Sequence, residues 1–201
     1  MIIHTKILEN PIVLSKNYVT SIHTTDKHVY SKIAYQLFSL ANGIDTDGYI
    51  LEAGDEINAA KHTIFIASPF DIEYGNKKIQ NAILALVESN INFDVAKKQH
   101  LEETYNKLYL EFCRLSEISE LGISSSGEMD LKKLAKLFEI SVQQEKTYTQ
   151  LSDILQYLEL ISELKAAKII VMTAIKSFFN EDELEEIFKM AIYCQLKLLL
   201  V

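Results

Sequence analysis

The residues of this chain best suited to chemistry are lysines, and they are unevenly spread. Lys77, Lys78, Lys97, Lys98 and Lys107 fall in one helical region, and Lys132, Lys133, Lys136 and Lys146 in another. Ammonium groups at that density can neutralise successive phosphates of a nucleic-acid backbone, a contact that supplies affinity without reading sequence. A formal net charge of −8 does not oppose this, because phosphate affinity depends on where lysines sit and not on their sum. The acids are concentrated elsewhere. From Asp153 to Glu186 there are eight acids against three lysines, and from Glu111 to Asp130 five acids against the single arginine, Arg114, so those stretches cannot face DNA broadly.

A second chemical possibility is the loop "SPFDIEYGNKKIQ", Ser68 to Gln80, which lies between an apolar run and a helical pattern as a phosphate cradle would. A P-loop needs GxxxxGK[ST], with glycines for the turn, a lysine for the β- and γ-phosphates and a hydroxyl for Mg²⁺. Here only Gly75 is present: Phe70 stands at the first glycine, Asn76 at the lysine and Lys77 at the hydroxyl. The loop keeps the topology without the chemistry, and the simplest expectation is that Gly75 turns the chain and Asn76 caps the helix. A nucleotide-binding switch of degenerate P-loop type remains as an alternative.

Other constellations are weaker. "DTDGYILE" at Asp45 lacks the third ligand of an EF-hand loop and reads as a turn. His23 and His28 have no third ligand at metal spacing, and Cys113 and Cys194 have no CxxC partner, so reduced thiols are expected. No GxSxG, Cys–His pair or spaced carboxylate pair argues for an enzyme.

The elements that must position the lysines come from hydrophobic pattern. At 201 residues and 48% hydrophobic, with six Gly and two Pro, the chain can bury one substantial core with a smaller appended unit. No apolar stretch approaches the roughly 18 residues of a membrane span, so a cytoplasmic protein is expected. Strands are predicted at "IVL", "YVTSI", "YILEA" and "HTIFIA", with turns at "ANGIDTDGY" and "AGDEINAAK" and a helix from about Asp26 to Leu40 capped by Thr24 or Thr25. Leu101, Tyr105, Leu108, Phe112 and Leu115 alternate spacings of four and three, a helix-pairing seam, and Tyr148, Leu151, Leu155 and Leu158 repeat it, so the two seams are suited to pack together. "ELGISSSGEMD" is a turn before a short helix from Asp130 to Glu139. "KIIVMTA" and "LKLLLV" are continuous apolar runs, expected as parallel strands buried on both faces, and "NEDELEEIF" between them opens like a capping box on Asn180 and Glu183.

Four blocks carry a family resemblance in their order and spacing: "ILENPIVL", "SPFDIEYGNKKIQNAI", "LKKLAKLFEISV", and "YLELISELKAAKIIVMTAIKSFFNEDELEEIF" running into "KLLLV". Together they resemble the DNA-end-binding ring proteins of type II-A CRISPR adaptation modules, the Csn-type accessory subunits. The resemblance implies an α/β fold: a P-loop-like parallel-sheet head without a functional P-loop, at residues 1–77 and 150–201, with an inserted helical leg at 78–149. It implies a homotetrameric ring that holds double-stranded DNA ends without sequence preference and without catalysis, beside the CRISPR integrase complex and the effector nuclease. Lys77, Lys78, Lys97, Lys98, Lys132, Lys133 and Lys136 would then be the DNA-binding residues. Relatives often order the leg with calcium, but the acid-rich turn is serine-rich here and leaves Glu120, Glu128 and Asp130, so weak or absent calcium binding is expected. The relatives continue past the strand that ends here at Val201. A helical interaction scaffold that never touches DNA is the remaining alternative.

Overall fold

The computed structural model describes residues 1–44, 47–115, 127–142 and 149–201, which divide into two compact units: residues 1–79 with 143–201, and residues 80–142. The first unit is α/β and contains two sheets. Its parallel sheet has the order β3 (Thr20–Ser21), β8 (Lys197–Leu200), β7 (Ile169–Met172), β6 (Thr63–Ile66). As the two apolar runs require, every residue of β7 and β8 is buried, and the strands pair in parallel from Ile169↔Lys197 to Met172↔Leu200.

The helix between them, α7 (Glu181–Tyr193), starts with the expected capping box. Asn180 Oδ1 accepts from the Glu183 amide at 3.0 Å, and the Glu183 carboxylate accepts from the Asn180 amide at 2.9 Å. Leu184, Ile187 and Ala191 form its buried face. Beside it, α6 (Gln150–Glu163) buries Ile154, Tyr157, Leu158 and Ile161 and packs against α7 and a 3₁₀ turn at Pro69–Asp71.

The unit contains a second sheet beside the parallel one. The strands β2 (Ile12–Val13), β1 (Ile2–His4), β4 (Tyr49–Glu52) and β5 (Asp55–Ile57) form a separate antiparallel sheet in that order. Neither β1 nor β5 was expected, and β5 occupies part of "AGDEINAAK", which had read as a turn. The hairpin turns in only two residues: Ala53 and Gly54 both have positive φ, 55° and 95°, between the paired Glu52 and Asp55. That is the primed-turn geometry which matches strand twist. Helix α1 (Lys27–Asn42) is capped by Asp26 in place of the expected threonines, its Oδ1 accepting from His28 N at 2.7 Å and Val29 N at 3.3 Å. It buries Ile33, Leu37 and Leu40 in one cluster with Ile3 and Ile50 of the antiparallel sheet and Ile169, Val171 and Leu199 of the parallel sheet. Alternation along the strands sends Ile170, Met172, Leu198 and Leu200 to the opposite face, where they are also buried.

One carboxylate ties the two sheets. Glu52, on β4, pairs with Lys168, which precedes β7, and with Lys197 of β8 at 3.7 Å. Lys197 is only 7% exposed. Its burial pulls the ammonium pKa down, while the Lys168 hydrogen bond outweighs desolvation and lowers the pKa of Glu52.

The second unit contains most of α3 (Lys77–Phe93), all of α4 (Val95–Leu115) and α5 (Leu131–Leu137). The seam expected along α4 is not a buried face. Leu108, Phe112 and Leu115 are 67%, 61% and 73% exposed, and the half-buried stripe is Leu101, Tyr105, Tyr109 and Cys113 at uniform spacings of four. In the other seam Tyr148 lies outside the described residues, and Leu158 is buried within the first unit. No described helix is long and apolar enough to cross a membrane.

Candidate nucleic-acid interface

Each expected lysine is positioned by local chemistry that differs from its neighbours'. Helix α4 begins at Asp94, whose Oδ1 accepts from Lys97 N at 3.1 Å, and the Lys97 ammonium returns to the same carboxylate at 3.2 Å. Lys98 lies 4.0 Å from Glu102, one turn further on. Helix α5 is capped in the same way by Asp130, which accepts from Lys132 N at 2.9 Å and Lys133 N at 3.0 Å. Lys133 lies 3.7 Å from Asp130, and Lys132 reaches Glu88 of α3 at 3.1 Å.

All these pairs are at least partly exposed, and exposed pairs contribute about 0–1 kcal/mol, so a phosphate can displace the carboxylates at little cost. Among the described residues no ion pair involves Lys77, Lys107 or Lys136. The apolar face of α5 is Leu131, Leu134 and the buried Ala135, whereas Phe138 is 71% exposed.

The placement of α5 depends on the chain crossing the tyrosines of α4. Tyr105 and Tyr109 stack at 6.4 Å, and the Tyr105 hydroxyl donates to the Glu128 carbonyl at 3.4 Å. Gly127 lies close beside them in a conformation that favours glycine: its φ is +64°, and a Cβ there would stand 3.0 Å from the Tyr109 ring, which would have to shift.

Lys78 differs from the rest of the expected set. Its ammonium turns into the first unit and donates to the carbonyls of Ala41, at 2.9 Å, and Thr63. Burial lowers its pKa, and the geometry gives it a supporting role at the junction of α1 and β6. Lys77 beside it is exposed. Lys77 and Lys78 belong to the first unit, and Lys97, Lys98, Lys132, Lys133 and Lys136 to the second.

The loop before α3 has its own fillings. Ser68 caps the 3₁₀ turn by accepting from Phe70 N at 3.3 Å, Pro69 is buried, and Asn76 Oδ1 accepts from Lys78 N at 2.8 Å, so Asn76 caps α3 as expected. The 3₁₀ turn fills the place of the glycine-rich cradle. Of the acids suggested for calcium, Glu120 lies outside the described residues and both Asp130 oxygens serve α5 and Lys133; no group of three metal-ligating side chains occurs among the described residues.

These features define an α/β protein with a modified strand–loop–helix entry and a separate helical unit that carries accessible lysines on α4 and α5. The family model for CRISPR-associated protein (Cas_Csn2) matches residues 43–201, and the chain belongs to this family, as its four sequence blocks had suggested. Its fold is similar to the crystal structure of Stu0660 of Streptococcus thermophilus, with a TM-score of 0.61 at 16% identity over 100% of this chain and 68% of that one. No curated protein matches the sequence.

Proposed function

We propose that the chain is a non-catalytic binder of double-stranded DNA ends, acting as a homotetrameric ring in CRISPR spacer acquisition alongside the integrase complex and effector nuclease. The observation that carries the DNA-binding part is the set of accessible lysines on α4 and α5, either unpaired among the described residues or held only by partly exposed carboxylates. Such groups exchange a carboxylate for a phosphate readily. Sequence-blind binding follows from the same inventory, because the single arginine, Arg114, is held by Glu111 at 2.7 Å and the lysines act as point charges. The ring rests on family membership. Calcium is not required in this reading, since Asp130 is already committed to α5.

Linear and covalently closed circular duplexes of one sequence test the proposal. A ring must be threaded, so linear DNA binds and closed circles do not, and light scattering gives a tetramer. Equal affinity for both topologies would remove the ring, and no retardation of either DNA at low salt would favour the protein scaffold.

A further inference from the structure

The acidic stretch from Asp153 to Glu186 is poorly suited to holding DNA, and one of its acids, Glu186, lines a surface cavity. Between α6 and α7 lies an open cavity of about 290 Å³ lined by Leu155, Met190, Tyr193, Glu186 and Lys189. Tyr193 is 82% exposed and the neighbouring Ile192 39%, so the apolar surface continues beyond the cavity. Lys189 is held by Glu185 at 2.8 Å and also feels Glu186, so one ammonium is shared by two carboxylates and the edge formed by these three residues carries a net negative charge.

The C-terminal ends of the two helices meet, as shown by Ser162 donating to the Cys194 carbonyl at 2.9 Å. Neither last turn contains a basic residue, so two negative dipole ends lie together; the first cation beyond α6 is the exposed Lys165. Glu159 and Glu163 add to that field. Burial, then Glu159, raises the pKa of the Cys194 thiol against a lowering bond from Ser162, and Glu163 contributes in the same direction.

We propose that this groove docks a basic amphipathic helix from a partner protein. Two adjacent helices present a furrow into which the ridge of a third packs, and an apolar stripe flanked by lysine or arginine matches an apolar floor with an acidic rim. The charge identifies the occupant. A symmetric contact with a second copy would set the acidic rim against itself, and a nucleic acid would meet the same repulsion. Tyr193 at the mouth has the character of an anchoring residue, with a large ring and little rotamer entropy to lose.

The test uses the full chain and a labelled synthetic peptide of leucine and lysine, about 18 residues long, with leucines at i, i+3, i+4 and i+7. An isomer of the same composition in scrambled order is the control. Fluorescence anisotropy is expected to show the ordered peptide binding at least about tenfold more tightly than the scrambled one. Tyr193→Ser should reduce that binding by about tenfold, and Glu159→Gln with Glu186→Gln should flatten its salt dependence, while linear DNA binding is unchanged in all variants. Equal binding of the two peptides, or no effect of either set of substitutions, overturns the proposal. So does the case in which the ordered peptide fails to bind while Tyr193→Ser dissociates the wild-type oligomer, because the occupant is then a second copy.

Discussion

Two sets of lysines, one in each unit, use the same residue type in opposite ways. In the first, Lys78 and Lys197 are drawn inward, one to backbone carbonyls and the other to Glu52, and burial lowers the pKa of both. In the second, the side chains of Lys97, Lys132 and Lys133 are 82%, 54% and 85% exposed and lean on carboxylates that water already screens. A lysine's role is therefore set by what its ammonium meets. Lys77 and Lys78 are consecutive and have different fates.

The largest expected effect comes from replacing Lys132, Lys133 and Lys136 together with alanine. If all three contact phosphate, the log–log salt slope of DNA binding flattens by about 0.9 per contact, or ~2.7 in total, with an affinity loss of orders of magnitude at low salt. An unchanged slope in filter-binding or anisotropy titrations would place the contacts elsewhere.

Glu52→Gln provides the contrast in the first unit. It leaves Lys197 buried without its carboxylate, and the expected loss is about 1–3 kcal/mol in denaturant unfolding, discounted because Glu52 is itself partly exposed, with no change in DNA salt slope. The same pair gives a pH dependence. Because the folded pKa of Glu52 is lowered from 4.5, its stabilisation is fully present above that value and is lost as pH falls through the folded pKa. The variant's acid unfolding curve should lack that component.

Lys78→Met keeps the aliphatic stem but removes the donors to Ala41 and Thr63, so a similar or smaller loss of stability is expected, again with an unchanged salt slope. A slope that falls as it does for Lys132 would mean that Lys78 swings outward to DNA. A smaller effect is expected of Gly127→Ala, about 1–2 kcal/mol from the positive φ and the Tyr109 contact, seen as faster hydrogen exchange in α5. The smallest concerns calcium: calorimetry should show no submicromolar site and no difference on Glu128→Gln.

What could be read from the sequence follows from how local each determinant is. The strands β7 and β8 and the start of α7 were legible because a strand buried on both faces leaves a continuous apolar run and a capping box lies within four residues. The hairpin of β4 and β5 was not, because "DEI" carries no apolar alternation and its identity rests on two positive φ values at Ala53 and Gly54. The α4 seam misled because periodicity identifies a face without saying whether anything covers it, and here Leu108, Phe112 and Leu115 are exposed. Among the candidate site residues, clustering revealed the lysines but not their directions. Lys78 turns inward because carbonyls from two segments far away in sequence, at Ala41 and Thr63, converge on it.

Strand β8 lies between β3 and β7, although β3 and β6 are contributed by the first 79 residues and β8 is the last of the described strands. During synthesis β3 therefore waits for a neighbour whose paired residues the ribosome makes 179 positions later, Thr20 against Leu199, while the contacts within the helical unit all fall inside one continuous segment. The helical unit can consolidate on the nascent chain, but the sheet closes only once its central strand has left the exit tunnel. Until β8 emerges an unpaired strand edge is open to other chains, which makes that interval the period of greatest aggregation risk.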